Sequence, residues 1–164
     1  METLKLLFYG LVCLLLSDYT ITRPQQKEIV SPDVFTFEPP FTIQKLIMIL
    51  PFELDRVTKS FLFDTVADVS LIQREYPIGK TQNISGASNR KIKLGKEYVK
   101  SLKIGIIEFK NTFALNGVLD GLKQQISDFG GIIGQAIINK VNWLIDYPNK
   151  KLKISNKDLT DTTY

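Results

Sequence analysis

The chain opens on an apolar run from Leu6 to Leu16, broken only by Gly10, with Lys5 before it and Ser17-Asp18 after it. That run is shorter than the roughly 20 residues a membrane-spanning helix needs, and it fits the hydrophobic region of a secretory signal peptide. A retained short anchor is the second reading, and a buried helix of the domain the third. From 18 to 40 the pattern loses its period. Arg23-Pro24, Ser31-Pro32 and Glu38-Pro39-Pro40 disfavour helix at each X-Pro step, so this stretch reads as a linker or N-terminal arm.

Beyond Phe41 the pattern becomes that of short strands. Thr42 to Leu50 is a strongly apolar strand candidate, with Pro51 suggesting a bend or sheet edge. Asp55-Arg56 reads as a turn, and Val57 to Phe63 as the next strand. Lys91-Ile92-Lys93-Leu94 alternates with period two, as do Leu102, Ile104 and Ile106, and Glu108 to Leu115 continues the alternation. Trp143 to Asp146, the turn Tyr147-Pro148-Asn149-Lys150, and Lys151 to Ile154 form a strand–turn–strand hairpin, in which Asp146 organises the turn and Trp143 enters the core. Helical stretches are expected around Leu119 to Ser127 and from Gln135 to Val141. Many short strands with frequent turn signals predict an all-β domain, a small closed barrel or sandwich with one or two short helices. The domain is expected over 41–156, with a flexible tail at 157–164.

Composition narrows the chemistry. The 164 residues are 44% hydrophobic and 23% charged, which allows one ordinary globular domain and hardly two. Histidine is absent, which removes Ser-His-Asp and Cys-His nucleophile systems, His-ligated zinc and a histidine base together. Cys13 is the single cysteine, so an intrachain disulfide and a Cys-rich metal site are excluded. The net charge is +4, yet Lys91, Lys93, Lys96, Lys100 and Lys103 are spaced among apolar residues like solvated strand faces rather than a nucleic-acid patch. No nucleic-acid partner, metal or cofactor is expected.

Two segments carry candidate chemistry. In Phe61-Leu62-Phe63-Asp64-Thr65-Val66-Ala67-Asp68 an Asp-Thr pair ends an apolar strand, where a carboxylate is costly unless compensated. A strand-ending Asp that caps a turn would give the same pattern. In Asp128-Phe129-Gly130-Gly131-Ile132-Ile133-Gly134 the glycine spacing matches no phosphate loop, and the pattern fits a tight crossing of chain segments.

Together these segments resemble the retropepsin-like aspartic proteases, the retroviral-type single-lobe fold. In that family an Asp-Thr-Gly-Ala turn follows a hydrophobic strand, and an apolar-apolar-Gly motif threads beside it later. Asp64-Thr65-Val66-Ala67-Asp68 matches the first and Ile132-Ile133-Gly134 the second. Ile84-Ser85-Gly86-Ala87-Ser88-Asn89-Arg90, leading into the Lys91–Leu94 strand, falls where the family keeps its flap hairpin, and Leu144-Ile145-Asp146-Tyr147 onward resembles the ending of bacterial members. The resemblance spans about Thr42 to Ser155.

It implies a specific mechanism. Two carboxylates sharing a proton push their pKa values apart, so that one serves as general base toward water and the other as acid. The lobe has one Asp-Thr turn, so the resemblance implies a homodimer contributing Asp64 twice, with Thr65 bonding across the two-fold axis. Ala67 and Asp68 are then expected along the groove for a peptide or protein substrate, with Ile84, Ser85 and Gly86 in the flap above it. The apolar N-terminus implies export to a periplasmic, secreted or membrane-tethered location, with membrane contact only if that segment is retained. The departure is Val66, where the family has glycine; a β-branched side chain there crowds the dyad. A catalytically degenerate peptide-binding or dimeric module is therefore the alternative to an active endopeptidase.

Overall fold

A computed structural model describes residues 28–85 and 91–159. The apolar N-terminal run, Gly86 at the expected flap tip and the last residues of the tail lie outside the described residues. Twelve strands and two short helices are present among those described. In chain order the strands are β1 (Ile29–Ser31), β2 (Thr36–Phe37), β3 (Thr42–Gln44), β4 (Ile47–Leu54), β5 (Val57–Phe63) and β6 (Ser70–Gln73). They continue as β7 (Thr81–Ser85), β8 (Lys91–Ile104), β9 (Ile107–Gly117), β10 (Phe129–Ile133), β11 (Asn142–Asp146) and β12 (Lys151–Ser155). Helix α1 (Asp120–Lys123) precedes β10 and α2 (Gln135–Ile138) follows it.

The fold is all-β, as the pattern predicts. Pairing runs β9-β6-β10-β5-β4-β8, and β8 pairs back onto β9 to close a ring. The β4–β8 seam is short, made by Glu53 opposite Lys103 and Leu54 opposite Leu102. A second sheet, β11-β12-β2, shares no hydrogen-bonded ladder with this ring but packs its Leu152 and Ile154 into the same core as Phe52, Phe61 and Phe63. Strand alternation sends Leu50, Phe52, Phe61 and Phe63 into one core and Ile49, Leu62, Leu71 and Ile132 into another on the opposite face.

Several expectations needed correction. The single strand expected over Thr42 to Leu50 is two, because the chain reverses at Lys45-Leu46, both at positive φ. No Gly or Asn marks that reversal, so its local signal was missing. Ile106 leaves the alternation of Leu102 and Ile104: it sits exposed in the β8–β9 turn, next to Gly105 at φ +55°. Both helices are shorter than expected. The stretch read as a linker carries β1 and β2, which pair β9 and β12, and Phe35 between them is 4% exposed. Those pairings reach about 80 to 120 residues along the chain, beyond any local pattern.

Other readings hold. Asp55 and Arg56 turn at positive φ, and β5 runs over the expected residues. The closing hairpin pairs Asn142–Asp146 with Lys151–Ser155, and its turn is held by Asp146, which accepts from the Asn149 amide at 3.0 Å and from Asn149 Nδ2 at 2.7 Å. Trp143 packs on Phe63 with ring centroids 5.0 Å apart and donates its indole N–H to the Ile138 carbonyl at 2.9 Å.

Candidate active site at the Asp64 turn

Strand β10 decides the geometry of the site. It lies between β5 and β6, parallel to the first and antiparallel to the second. The turn 64–69 that joins β5 to β6 must therefore pass over the end of β10. Ile132 and Ile133 stand opposite Leu62 and Phe63, which brings the Ile-Ile-Gly segment directly beneath Asp64.

A set of hydrogen bonds fastens the two segments together. The Asp64 amide donates to the Ile133 carbonyl at 3.0 Å. The Gln135 and Ala136 amides donate to the carbonyls of Ala67 and Asp68, at 2.7 and 3.2 Å. The Gly134 amide donates to Ser70 Oγ at 3.1 Å, and Gln135 Nε2 donates to the Thr65 carbonyl at 2.6 Å. Each main-chain polar group in so tight a crossing would otherwise cost about 1–3 kcal/mol if left buried and unpaired.

Glycine is required here by closeness. A Cβ at Gly134 would lie 2.5 Å from the Ala67 carbonyl oxygen and 2.8 Å from that of Val69. One at Gly131, at φ +149°, would lie 2.0 Å from the Leu71 carbonyl oxygen, and one at Gly130 would enter the Phe61 ring. The glycine-rich stretch is thus a crossing of strands, as its spacing suggested.

Asp64 itself is 8% exposed. Its Oδ1 accepts the Val66 amide at 2.9 Å, which folds the turn over the carboxyl group. Its Oδ2 is buried and has no hydrogen-bond partner. A carboxylate oxygen in that position lacks the compensation that buried charge ordinarily has.

The other expected site residues divide. Thr65 and Asp68 are exposed on the same turn. Ala67, expected along a groove, is 2% exposed and packs with Val69, Leu71 and Ile132 beneath the turn, because its carbonyl must meet the Gln135 amide. Ile84 and Ser85 lie in β7, paired with Ile92 and Lys91 of β8, while Gly86 lies outside the described residues. Val66 is 50% exposed and outside the positive-φ region, so its isopropyl group does not crowd its own chain.

Two polar residues of the clamp had escaped the sequence reading. Ser70 is a fully buried hydroxyl that opens β6 ahead of Leu71 and Ile72, and a polar residue beside that apolar pair was its available signal. Gln135 has no local signal, since its amide reaches a carbonyl 70 residues away. Among the described residues no group of three or more Asp, Glu or Cys side chains could hold a metal ion.

No family model matches the chain, and no curated protein matches it. Among solved structures, the crystal structure of a retropepsin-like aspartic protease from Rickettsia conorii is similar, with a TM-score of 0.51. The match covers 80% of this chain and 95% of that one, at 17% sequence identity. The fold is that of a retropepsin-like single lobe.

Proposed function

We propose that this chain is an aspartic-type endopeptidase whose active site is completed by a second copy, each contributing Asp64. The observation that carries the reading is the buried Asp64 carboxyl group, held by a clamped turn with Oδ2 unpartnered. A second carboxyl group sharing one proton with it would supply the missing hydrogen bond. The pair would then have one member able to take a proton from water and one able to donate to a peptide carbonyl. Thr65, exposed beside it, is available to bond across the two-fold axis. The apolar segment 6–16 favours an exported location, and a flap around Gly86 would close over the peptide.

Val66 supports a second reading, a dimeric or peptide-binding module without turnover. With half its surface exposed, its isopropyl group would meet the partner lobe, where the family has only a glycine hydrogen. A displacement of about 1 Å at the dyad is enough to cost about a hundredfold in rate.

The deciding experiment is cleavage of a mixed peptide library at mildly acid pH by wild type, Asp64→Asn and Val66→Gly. Wild-type cleavage reduced about 10²–10⁴-fold or more in Asp64→Asn supports the endopeptidase. Cleavage by Val66→Gly alone supports the degenerate module. Sedimentation that finds only monomer, with and without peptide, defeats the shared dyad.

A further inference from the structure

On the Asp64 side of the β4–β5 pair lies a groove lined by Gln44, Lys45, Ile47, Ile49, Gln125 and Ile126. Its position follows from the end of the ladder: Ile49 stands opposite Leu62 in the last pair of β4 with β5, and Ile47 lies two residues further along β4, at the end of the pair from which β5 leads into Asp64. Period two puts Ile47 and Ile49 on one face of β4, and both pack with Leu62 in the same core cluster.

The lining has two characters. Ile47, Ile49 and Ile126 form an aliphatic floor, with Ile49 and Ile126 buried at 8% and 6% exposed. Gln44, Lys45 and Gln125 form a polar, exposed rim. None of the six is acidic, and Lys45 makes no ion pair among the described residues. The free volume is about 130 Å³, near the roughly 150 Å³ cavity that accepts a benzene-sized apolar group. Lys45 is presented by the positive-φ reversal between β3 and β4.

We infer that this groove binds an extended peptide through one branched aliphatic side chain, and that Lys45 selects an acidic residue within two positions of it. In an extended peptide, side chains two positions apart share a face, so an aliphatic group on the isoleucine floor leaves its neighbour at the rim. The floor takes the apolar group by burial, and the lysine takes the carboxylate by charge. The inference deepens the endopeptidase reading, because it assigns that site a substrate class, and it rests on that reading for the meaning of Asp64.

The test separates binding from turnover. Full-length Asp64→Asn protein is titrated with fluorescent peptides that carry isoleucine followed two positions later by Glu, Gln or Lys. The Glu peptide is expected to bind roughly two- to fivefold tighter than the Gln peptide, the range of an exposed charge pair. Adding Lys45→Glu is expected to reverse the order of the Glu and Lys peptides. The preference should fade from about 0.1 M to about 1 M salt, as the Debye length drops from about 10 Å to about 3 Å. Replacing the peptide isoleucine by Asn should weaken binding to all variants alike. An unchanged order in Lys45→Glu, or binding indifferent to the isoleucine, overturns the inference even if wild type cleaves peptides. Selective binding without wild-type cleavage sustains the groove and defeats the endopeptidase instead.

Discussion

Two turns in this molecule are organised by an aspartate, and their surroundings make them opposites. Asp146 caps the β11–β12 turn, and both its carboxylate oxygens are taken by Asn149 three residues on. Those bonds, the side-chain amide first and the main-chain amide second, hold its pKa below the ordinary aspartate value. Asp64 caps the turn after β5 in much the same local way, through Val66 two residues on, but only one oxygen is used. The other is buried and unpaired. Local chemistry completes Asp146, whereas the turn at Asp64 leaves one carboxyl oxygen buried and unsatisfied. The first turn is a structural cap, and the second carries the group on which the proposed function rests.

The largest expected effect falls on that packing. Gly134→Ala puts a methyl group within 2.5 Å of the Ala67 carbonyl oxygen, and Ser70→Ala leaves the Gly134 amide without its acceptor. Each should lower stability in urea unfolding by about 1–3 kcal/mol. A loss below about 0.5 kcal/mol in both would mean that the clamp does not hold the Asp64 turn.

Next comes Asp64→Asn, which keeps an acceptor for the Val66 amide while replacing a buried carboxyl group whose second oxygen has no partner. Stability should stay level or rise by up to about 1 kcal/mol, since a neutral amide costs less to bury than a carboxylate. A clear loss would make Asp64 an ordinary cap, like Asp146, and erase the contrast.

The smallest effect belongs to the hairpin. Asp146→Ala should fray the β11–β12 turn, visible in amide exchange from Tyr147 to Lys151, and leave the Asp64 region unchanged. Its pH dependence has a fixed sign. A folded-state pKa lowered below 3.8 gives a contribution present above the unfolded value and lost as pH falls through the folded one. Protection of the hairpin amides, their exchange relative to an unfolded chain at the same pH, should therefore fall only below about pH 4, and in wild type but not in Asp146→Ala.

Legibility follows the range of the interactions. The β5 strand, the Asp55-Arg56 turn and the closing hairpin are decided by neighbours a few residues apart, and all three were readable. The Asp-Thr and Ile-Ile-Gly segments were readable as patterns, because an aspartate ending an apolar run and glycines beside isoleucines are locally unusual. The strands β1 and β2 were not readable, since Phe35 and its flanks resemble a proline-rich arm until β9 and β12 lie beside them. The reversal at Lys45-Leu46 was equally hidden. Its residues are poor turn formers, and only the pairing of Thr42–Gln44 with Ile47–Ile49 compels it.

By itself the sequence determined an all-β lobe, a chemistry without histidine, and Asp64 as the carboxylate in an unusual place. Alternation, composition and turn-forming residues are properties of adjacent positions, and they suffice for that. Only the tertiary structure decided that β10 runs between β5 and β6, that one oxygen of Asp64 is left without a partner, and that Val66 turns outward. Those outcomes depend on segments nearly 70 residues apart in the chain, whose crossing is fixed by where a glycine permits two backbones to touch.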